Sequence, residues 1–284
     1  MFRSRWVAVA VLIGCGPPAW AAETSSGQQA LVDQMRALNW VKGPTTVDVQ
    51  GNSKLTLPEE YVYLDAQNTR KFLELQHNLS DGREVMVAPR NMEWMAYLEF
   101  SDAGYVKDNE KIDAAELLKT LQSNTENANS ERRSRGWDEL HLIDWATPPV
   151  YNTTTKRLEW ATLLEAKGGR AVNFSTKILG RRGVTTVIMV TDPANLTAAE
   201  NNLDSVLSGY SFNAGETYAD WRGGDKVAEY GLAALIVGGV AAVAAKKGFF
   251  SVIAAFLMAS WKFILIGLGA AVTWLRNLFI RKRS

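Results

Sequence analysis

Two groups of arginines are the residues best placed to hold a ligand. Gly180, Arg181, Arg182 and Gly183 concentrate positive charge in an otherwise acidic part of the chain. Flanking glycines can turn backbone NH groups toward an anion, and guanidinium forks grip a carboxylate or phosphate at two points. The same four residues also suit a hairpin turn whose arginines pair with acids of their own domain. Arg132, Arg133 and Arg135 form the second group. Trp145 and Tyr151 flank Pro148 and Pro149, which fix an extended backbone. That stretch is either an aromatic ledge for a peptide or a pair of core aromatics where a strand ends. Lys156 and Arg157 sit beside Glu159 and Trp160, but strand alternation puts the two bases on opposite faces, which favours a solvated face over an anion site.

Catalytic chemistry is harder to read. Glu93, Glu99, Asp108 and Asp144 could supply two carboxylates for general acid and base work, and such a pair leaves no motif. Asp102, Asp108, Glu110 and Asp113 lie close in sequence, yet their spacing lacks the central glycine and terminal glutamate of a calcium loop. His77 and His141 are the two histidines, and no Gly-x-Ser-x-Gly elbow presents a serine to either. Phosphate loops and dinucleotide fingerprints are missing. Cys15 is the one cysteine, so a cut after Ala21 removes thiol catalysis, cysteine-ligated zinc and disulfides together. No catalytic residue, metal ligand or cofactor is assigned on these grounds.

The elements that must carry these residues read as α+β, a largely antiparallel sheet with helices packed on it. Strand length and composition occur over 46–50, 54–57, 61–64, 85–88, 94–100, 140–144, 157–165, 171–179 and 184–190. Lys167, Gly168 and Gly169 join two of these as a hairpin. Asp65 caps a helix over 68–77, and Asp113, with Glu116 three positions on, opens the longest helix, which carries the second arginine group and stops at Gly136. A third helix runs from about Thr197, capping with Glu200, to Leu207 and is stopped by Gly209. Linkers are expected at 24–28 and at Gly223 and Gly224.

Both ends of the chain place this domain outside the cytoplasm. Arg3 and Arg5, an apolar run, Pro17 and Pro18, and the small residues Ala19 and Ala21 read as a signal peptide over 1–21. Leu12 to Cys15 also resembles the box at which lipoproteins are cut and acylated. After a domain at 22–226 the chain turns apolar, in segments at 227–245 and 248–275 separated by Lys246 and Lys247, with a basic tail at 276–284. The first barely reaches the roughly 20 residues needed to cross a bilayer, and the second is more than long enough. Lys262 near the middle of the second is costly unless it snorkels or pairs with the first helix. Small residues in the first segment favour a hairpin of two spans, with a single span as the alternative. Between Glu23 and Tyr230 lie all 30 acids and 22 of the 31 Lys and Arg, a net charge of −8. That balance argues against nucleic acid and against anionic lipid headgroups, and suits a protein, peptide or cationic partner.

Several stretches taken as a set carry a resemblance: GYVKD at 104–108, NSERRSRG at 129–136, DWATPPVY at 144–151, TKRLEWA at 155–161, LGRRG at 179–183, FNAGETYAD at 212–220 and DKVAEYGLAALIVGGVAAVAAKKG at 225–248. In order and spacing they are similar to a membrane-anchored family known as domain of unknown function 2167. Trp221, where a Phe is more usual, and Val150 and Asn152 around Tyr151 depart from its pattern. The resemblance implies an exported, tethered protein and no reaction. The expectation is a bacterial inner-membrane protein whose periplasmic domain binds a protein or peptide without catalysis; the alternative is a carboxylate-dependent hydrolase or transferase acting on a glycan or lipid-linked substrate.

Overall fold

The computed structural model of the chain describes residues 26–76, 78, 80 and 82–238. Its elements are α1 (Ser26–Arg36), β1 (Val41–Lys42), β2 (Thr45–Val49), β3 (Ser53–Leu57), β4 (Tyr61–Leu64), α2 (Ala66–Leu75), β5 (Val85–Pro89), β6 (Trp94–Ser101), α3 (Ala114–Ser134), β7 (Leu140–Asn152), β8 (Arg157–Ala166), β9 (Gly169–Leu179), β10 (Val184–Thr191), α4 (Leu196–Leu207), β11 (Tyr210–Phe212) and α5 (Leu232–Val237). The expected α+β class with a large antiparallel sheet is what the chain forms. Eight strands run in the order β1-β4-β5-β6-β10-β9-β8-β7, and a smaller sheet has the order β11-β3-β2.

Period-two alternation sets the two faces of the large sheet. On β6, Trp94, Ala96 and Leu98 join one core, while Met95 and Tyr97 join another. The first face packs against α4, through Ala199, Leu203, Val206 and Leu207, and against Leu55 and Leu57 of β3. The opposite face is covered at one end by Phe72 and Leu73 of α2. At the other end it is covered by α3, with α5 joining the same cluster as Leu117, Leu158 and Trp160. Both sides of β6 and β10 are therefore buried, which is why their sequences read as continuous strand-forming runs.

Local signals fix where the helices begin. Asp65 accepts from the Asn68 NH at 2.9 Å, and the Asp113 carboxylate accepts from the Ala115 and Glu116 NH groups, both at 3.1 Å. Gly136, with φ +69, takes the left-handed turn beyond α3. The third helix spans the expected residues to within one position at its start, Leu196–Leu207, but its cap is a different residue. Asp192 caps a short 3-10 turn at Pro193–Asn195 by accepting from Ala194 NH at 2.7 Å, and α4 follows directly from Leu196, so Thr197 lies inside the helix and does not cap it. Helix α1 occupies part of the stretch expected as a linker. Strand β7 runs on through Pro148 and Pro149; it is an edge strand, where a missing NH is tolerated, and three register shifts against β8 absorb the distortion.

The packed body extends past residue 226. In α5, Leu232 is 1 % exposed and Val237 8 %. Burial of each large apolar side chain contributes roughly 2 kcal/mol, which holds a 6-residue helix too short to persist alone. Among the described residues no helix is long and apolar enough to cross a membrane. Lys246, Lys247, Lys262, the stretch at 1–21, His77 and most of the two apolar segments lie outside the described residues.

Candidate functional site

Loops at one end of the large sheet bring together most of the stretches that carry the family resemblance. Gly104 NH donates to the Arg182 carbonyl at 2.8 Å, Arg181 NH to Glu216 at 2.9 Å and Leu179 NH to Lys156 at 3.0 Å. Tyr105 pairs with Val227 in a parallel bridge, so the segment that leads toward α5 is stitched to the sheet end. At the centre, Asp108 Oδ2 accepts from Tyr151 Oη and from Lys156 Nζ, both at 2.8 Å. Burial works to raise the Asp108 pKa, but the hydrogen bonds from Lys156 and Tyr151 outweigh it and hold the carboxyl below its usual range. Burial and the hydrogen bond to Asp108 push the Tyr151 hydroxyl well up, so it stays a donor. Lys156 also lies 4.9 Å above the Tyr218 ring, and Tyr218 stacks on Tyr105 at 4.4 Å.

This junction accounts for the basic turn. Arg181 meets Asp225 through two hydrogen bonds, Nε to Oδ2 at 2.7 Å and Nη2 to Oδ1 at 2.9 Å, and Arg182 Nε meets Glu216 at 2.7 Å. The turn's glycines serve close approach: a Cβ on Gly183 would stand 2.0 Å from the Ser101 carbonyl oxygen. Gly180 NH closes the turn on the Gly183 carbonyl at 2.8 Å. The domain's own acids and carbonyls thus occupy the anion-binding groups of this turn.

The other sequence candidates are distributed around the fold. Arg132 is buried, gives its Nε to the Asp138 carbonyl at 2.5 Å and lies 5.8 Å from the Trp137 ring, while Arg135 lies 5.0 Å from the same ring. Arg133 pairs with Glu139 at 3.1 Å and Arg135 with Glu131 at 2.9 Å. Trp145 turns inward, its indole NH donating to the Ala114 carbonyl at 3.0 Å, and Tyr151 turns toward Asp108. The four acids considered for catalysis go separate ways. Glu99 is buried and pairs with Arg83 at 2.5 Å, Asp108 is held as described, and Asp144 accepts from Trp145 NH at 2.7 Å. Glu93 stands on the turn before β6. Among the described residues no cluster of three or more His, Cys, Asp or Glu is arranged to hold a metal.

A cavity of about 130 Å3 lies between α3 and the sheet. Its floor is the β8–β9 surface, from which Trp160, Thr162, Asn173, Ser175 and Lys177 face inward, and its other walls include Leu121 and Ala128 of α3 and Leu235, Ile236 and Val237 of α5. Asn173, Ser175 and Lys177 stand at alternate positions of β9 and are at most 8 % exposed. Lys177 Nζ donates to Thr186 Oγ1 at 2.8 Å and lies 6.0 Å from the Trp160 ring. Burial brings the Lys177 pKa down to about 8, with Glu99 working to raise it. Sequence reasoning missed this site. The signal available was a lysine two and four residues beyond Ser175 and Asn173 on a central strand, where alternation forces all three onto one buried face.

An α+β domain with an eight-stranded antiparallel sheet, a smaller second sheet, and a helix-roofed cavity defines the class of protein. The chain belongs to the family described as protein of unknown function (DUF2167), whose family model matches residues 41–270. Among solved structures it is similar to the cyanobacterial PsbP protein (CyanoP) from Synechocystis, with 10% identity and a TM-score of 0.36, covering 62% of this chain and 92% of that one. It is also similar to the Ran-binding protein Mog1p from Saccharomyces cerevisiae, with 9% identity and a TM-score of 0.29, covering 60% of this chain and 96% of that one. No curated protein matches the chain.

Proposed function

We propose that this chain is a non-enzymatic binding module of the bacterial envelope, held in the inner membrane by its C-terminal region, with the folded body in the periplasm and a protein or peptide as partner. The observation that carries the binding reading is the cavity between α3 and β8–β9, sized for one side chain or chain end and furnished with polar groups on one wall and apolar groups on the other. The separation of Glu99, Asp108 and Asp144 into different contacts supports a binding role over the carboxylate-pair reaction. Location rests on the sequence: an export-type beginning and an apolar, base-ended C-terminal region. Trp221, 42 % exposed and 5.2 Å from Tyr105, and Val227, 38 % exposed, add an aromatic and apolar edge where the chain turns toward that region.

Mild-detergent copurification of the full-length protein from its native membrane tests the reading. Ala128→Phe, which fills the cavity from the helix side, is expected to lose a stoichiometric partner that wild type and the exposed control Lys119→Ala retain. The same partner at the same stoichiometry in all three would overturn the assignment of binding to this cavity.

A further inference from the structure

The first apolar segment, 227–245, can cross a bilayer only if nearly all of it is free to do so. The structure ties its first part, 227–237, to the folded body. Tyr105 NH donates to the Lys226 carbonyl at 2.8 Å and Ala228 NH to the Tyr105 carbonyl at 2.9 Å, so the segment begins as a short parallel strand on the sheet end. Glu110 accepts from Ala233 NH at 3.1 Å near the start of α5, and Asn124 Nδ2 donates to the Val237 carbonyl at 3.3 Å at its end. The 8 residues that remain, 238–245, would make about 12 Å of helix. A bilayer core is about 30 Å thick.

Packing opposes release of this part into lipid. Every residue of α5 is at most 8 % exposed, and Leu232, Leu235 and Ile236 share a cluster with Leu158 and Trp160 of β8. Lipid tails are about as apolar as a leucine-rich core, so α5 would gain little by exchanging one for the other. The sheet would lose its cover. Leu158 and Trp160, now 0 % and 5 % exposed, would then face water.

We propose that the chain crosses the membrane once, through 248–275, and that α5 stays in the periplasmic body as the member joining it to that span. This rests on the reading that the C-terminal region holds the protein in the membrane. A single crossing puts Arg276, Arg281, Lys282 and Arg283 in the cytoplasm and leaves Lys246 and Lys247 outside, whereas a hairpin does the reverse. The excess of bases on the cytoplasmic side favours the single crossing. The 28 residues of 248–275 exceed the roughly 20 that a span requires, so the span can be seated with Lys262 toward one face, where its ammonium reaches the headgroups. Leu235, Ile236 and Val237 wall the cavity, and the 10 residues at 238–247 join them to the span. Fully extended, that link reaches about 35 Å. A partner for the cavity is therefore met close to the membrane surface.

Labelling of single cysteines in the full-length chain with a membrane-impermeant maleimide is the test, in cells whose outer membrane has been made porous and again after lysis. Val150→Cys reports the body, Gly248→Cys the chain before the second apolar segment and Ser284→Cys the tail; none of the three changes a charge, and a chain cut after Ala21 adds no cysteine of its own. Gly248→Cys is expected to label before lysis together with Val150→Cys, and Ser284→Cys only after it. Ala245→Cys repeats the Gly248 reading at a second position. Ser284→Cys on the side of Val150→Cys, with Gly248→Cys and Ala245→Cys opposite, is the hairpin and overturns the single crossing; all four on one side overturns it as well. If Val150→Cys, Gly248→Cys and Ala245→Cys label only after lysis and Ser284→Cys before it, the single crossing stands and the periplasmic placement falls.

Discussion

Arg181 and Asp225 are 44 positions apart and meet as a two-point fork, with Nε to Oδ2 at 2.7 Å and Nη2 to Oδ1 at 2.9 Å. The pair closes the basic turn between β9 and β10 onto the segment that leads to α5. Exposed pairs such as Arg70 with Glu74 contribute at most about 1 kcal/mol; a fork with both side chains 18 % exposed is better protected from solvent. The Arg181 hydrogen bonds, with help from the Arg222 NH, bring Asp225 down from 3.8 to about 2. A depressed carboxyl gives stability that is present in full above its unfolded value and lost as pH falls through its folded one. Asp225→Asn should therefore lower the melting temperature near neutral pH and flatten the acid side of the stability curve between about 3.8 and about 2. Thermal unfolding across that window checks it; parallel curves for wild type and variant would show that the fork contributes nothing.

Gly183→Ala is expected to destabilise by about 2 kcal/mol or more, as overpacking does. The new Cβ would lie 2.0 Å from the Ser101 carbonyl oxygen, and backbone must move to admit it. Gly215, with φ +80 and open space around its Cβ position, is the comparison: alanine there costs only the left-handed backbone term, about 1 kcal/mol. Denaturant midpoints of the two variants should rank in that order.

Lys177 gives an alkaline signature. Its pKa, lowered by burial from 10.5 to about 8, means that the unfolded chain binds more protons than the folded one between those values. Stability then rises with pH across that window. Lys177→Met removes the rise, so the stability of the variant minus that of wild type should fall as pH moves from about 8 to about 10. A difference that is constant with pH would place the ammonium in a solvated setting.

Much of the fold was legible because its signals are local. Asp65 and Asp113 announce their helices through short side chains that bond NH groups two and three residues away, and the hairpin at 166–169 through Lys167 and Gly168. The start of α4 was legible to within one residue, but not its cap: Thr197 and Glu200 imitate a capping box, while Pro193 pre-sets the backbone four residues earlier and Asp192 supplies the acceptor. The sites were less legible because their meaning lies in distant partners. Nothing near Arg181 in sequence indicates Asp225, and nothing near Trp145 indicates the Ala114 carbonyl that takes its NH. Lys177 went unremarked because a lysine in a strand ordinarily faces water, and only the position of α3 shows that this one does not.

The proposed periplasmic placement makes its own prediction. Val150 is 63 % exposed on edge strand β7, and a chain cut after Ala21 has no cysteine of its own. Val150→Cys should react with a membrane-impermeant maleimide in intact cells whose outer membrane has been made porous. Labelling only after lysis would put the domain on the cytoplasmic side.

The central claim is that the cavity beneath α3 receives a partner, and photo-crosslinking in living cells tests it most directly. A benzophenone amino acid at position 128, on the cavity wall, should give one discrete adduct with another protein, absent when the probe stands at the exposed Glu59. The adduct should disappear when Ser175→Phe fills the floor from the opposite side. No adduct at 128, or the same adduct from both positions, would contradict the account.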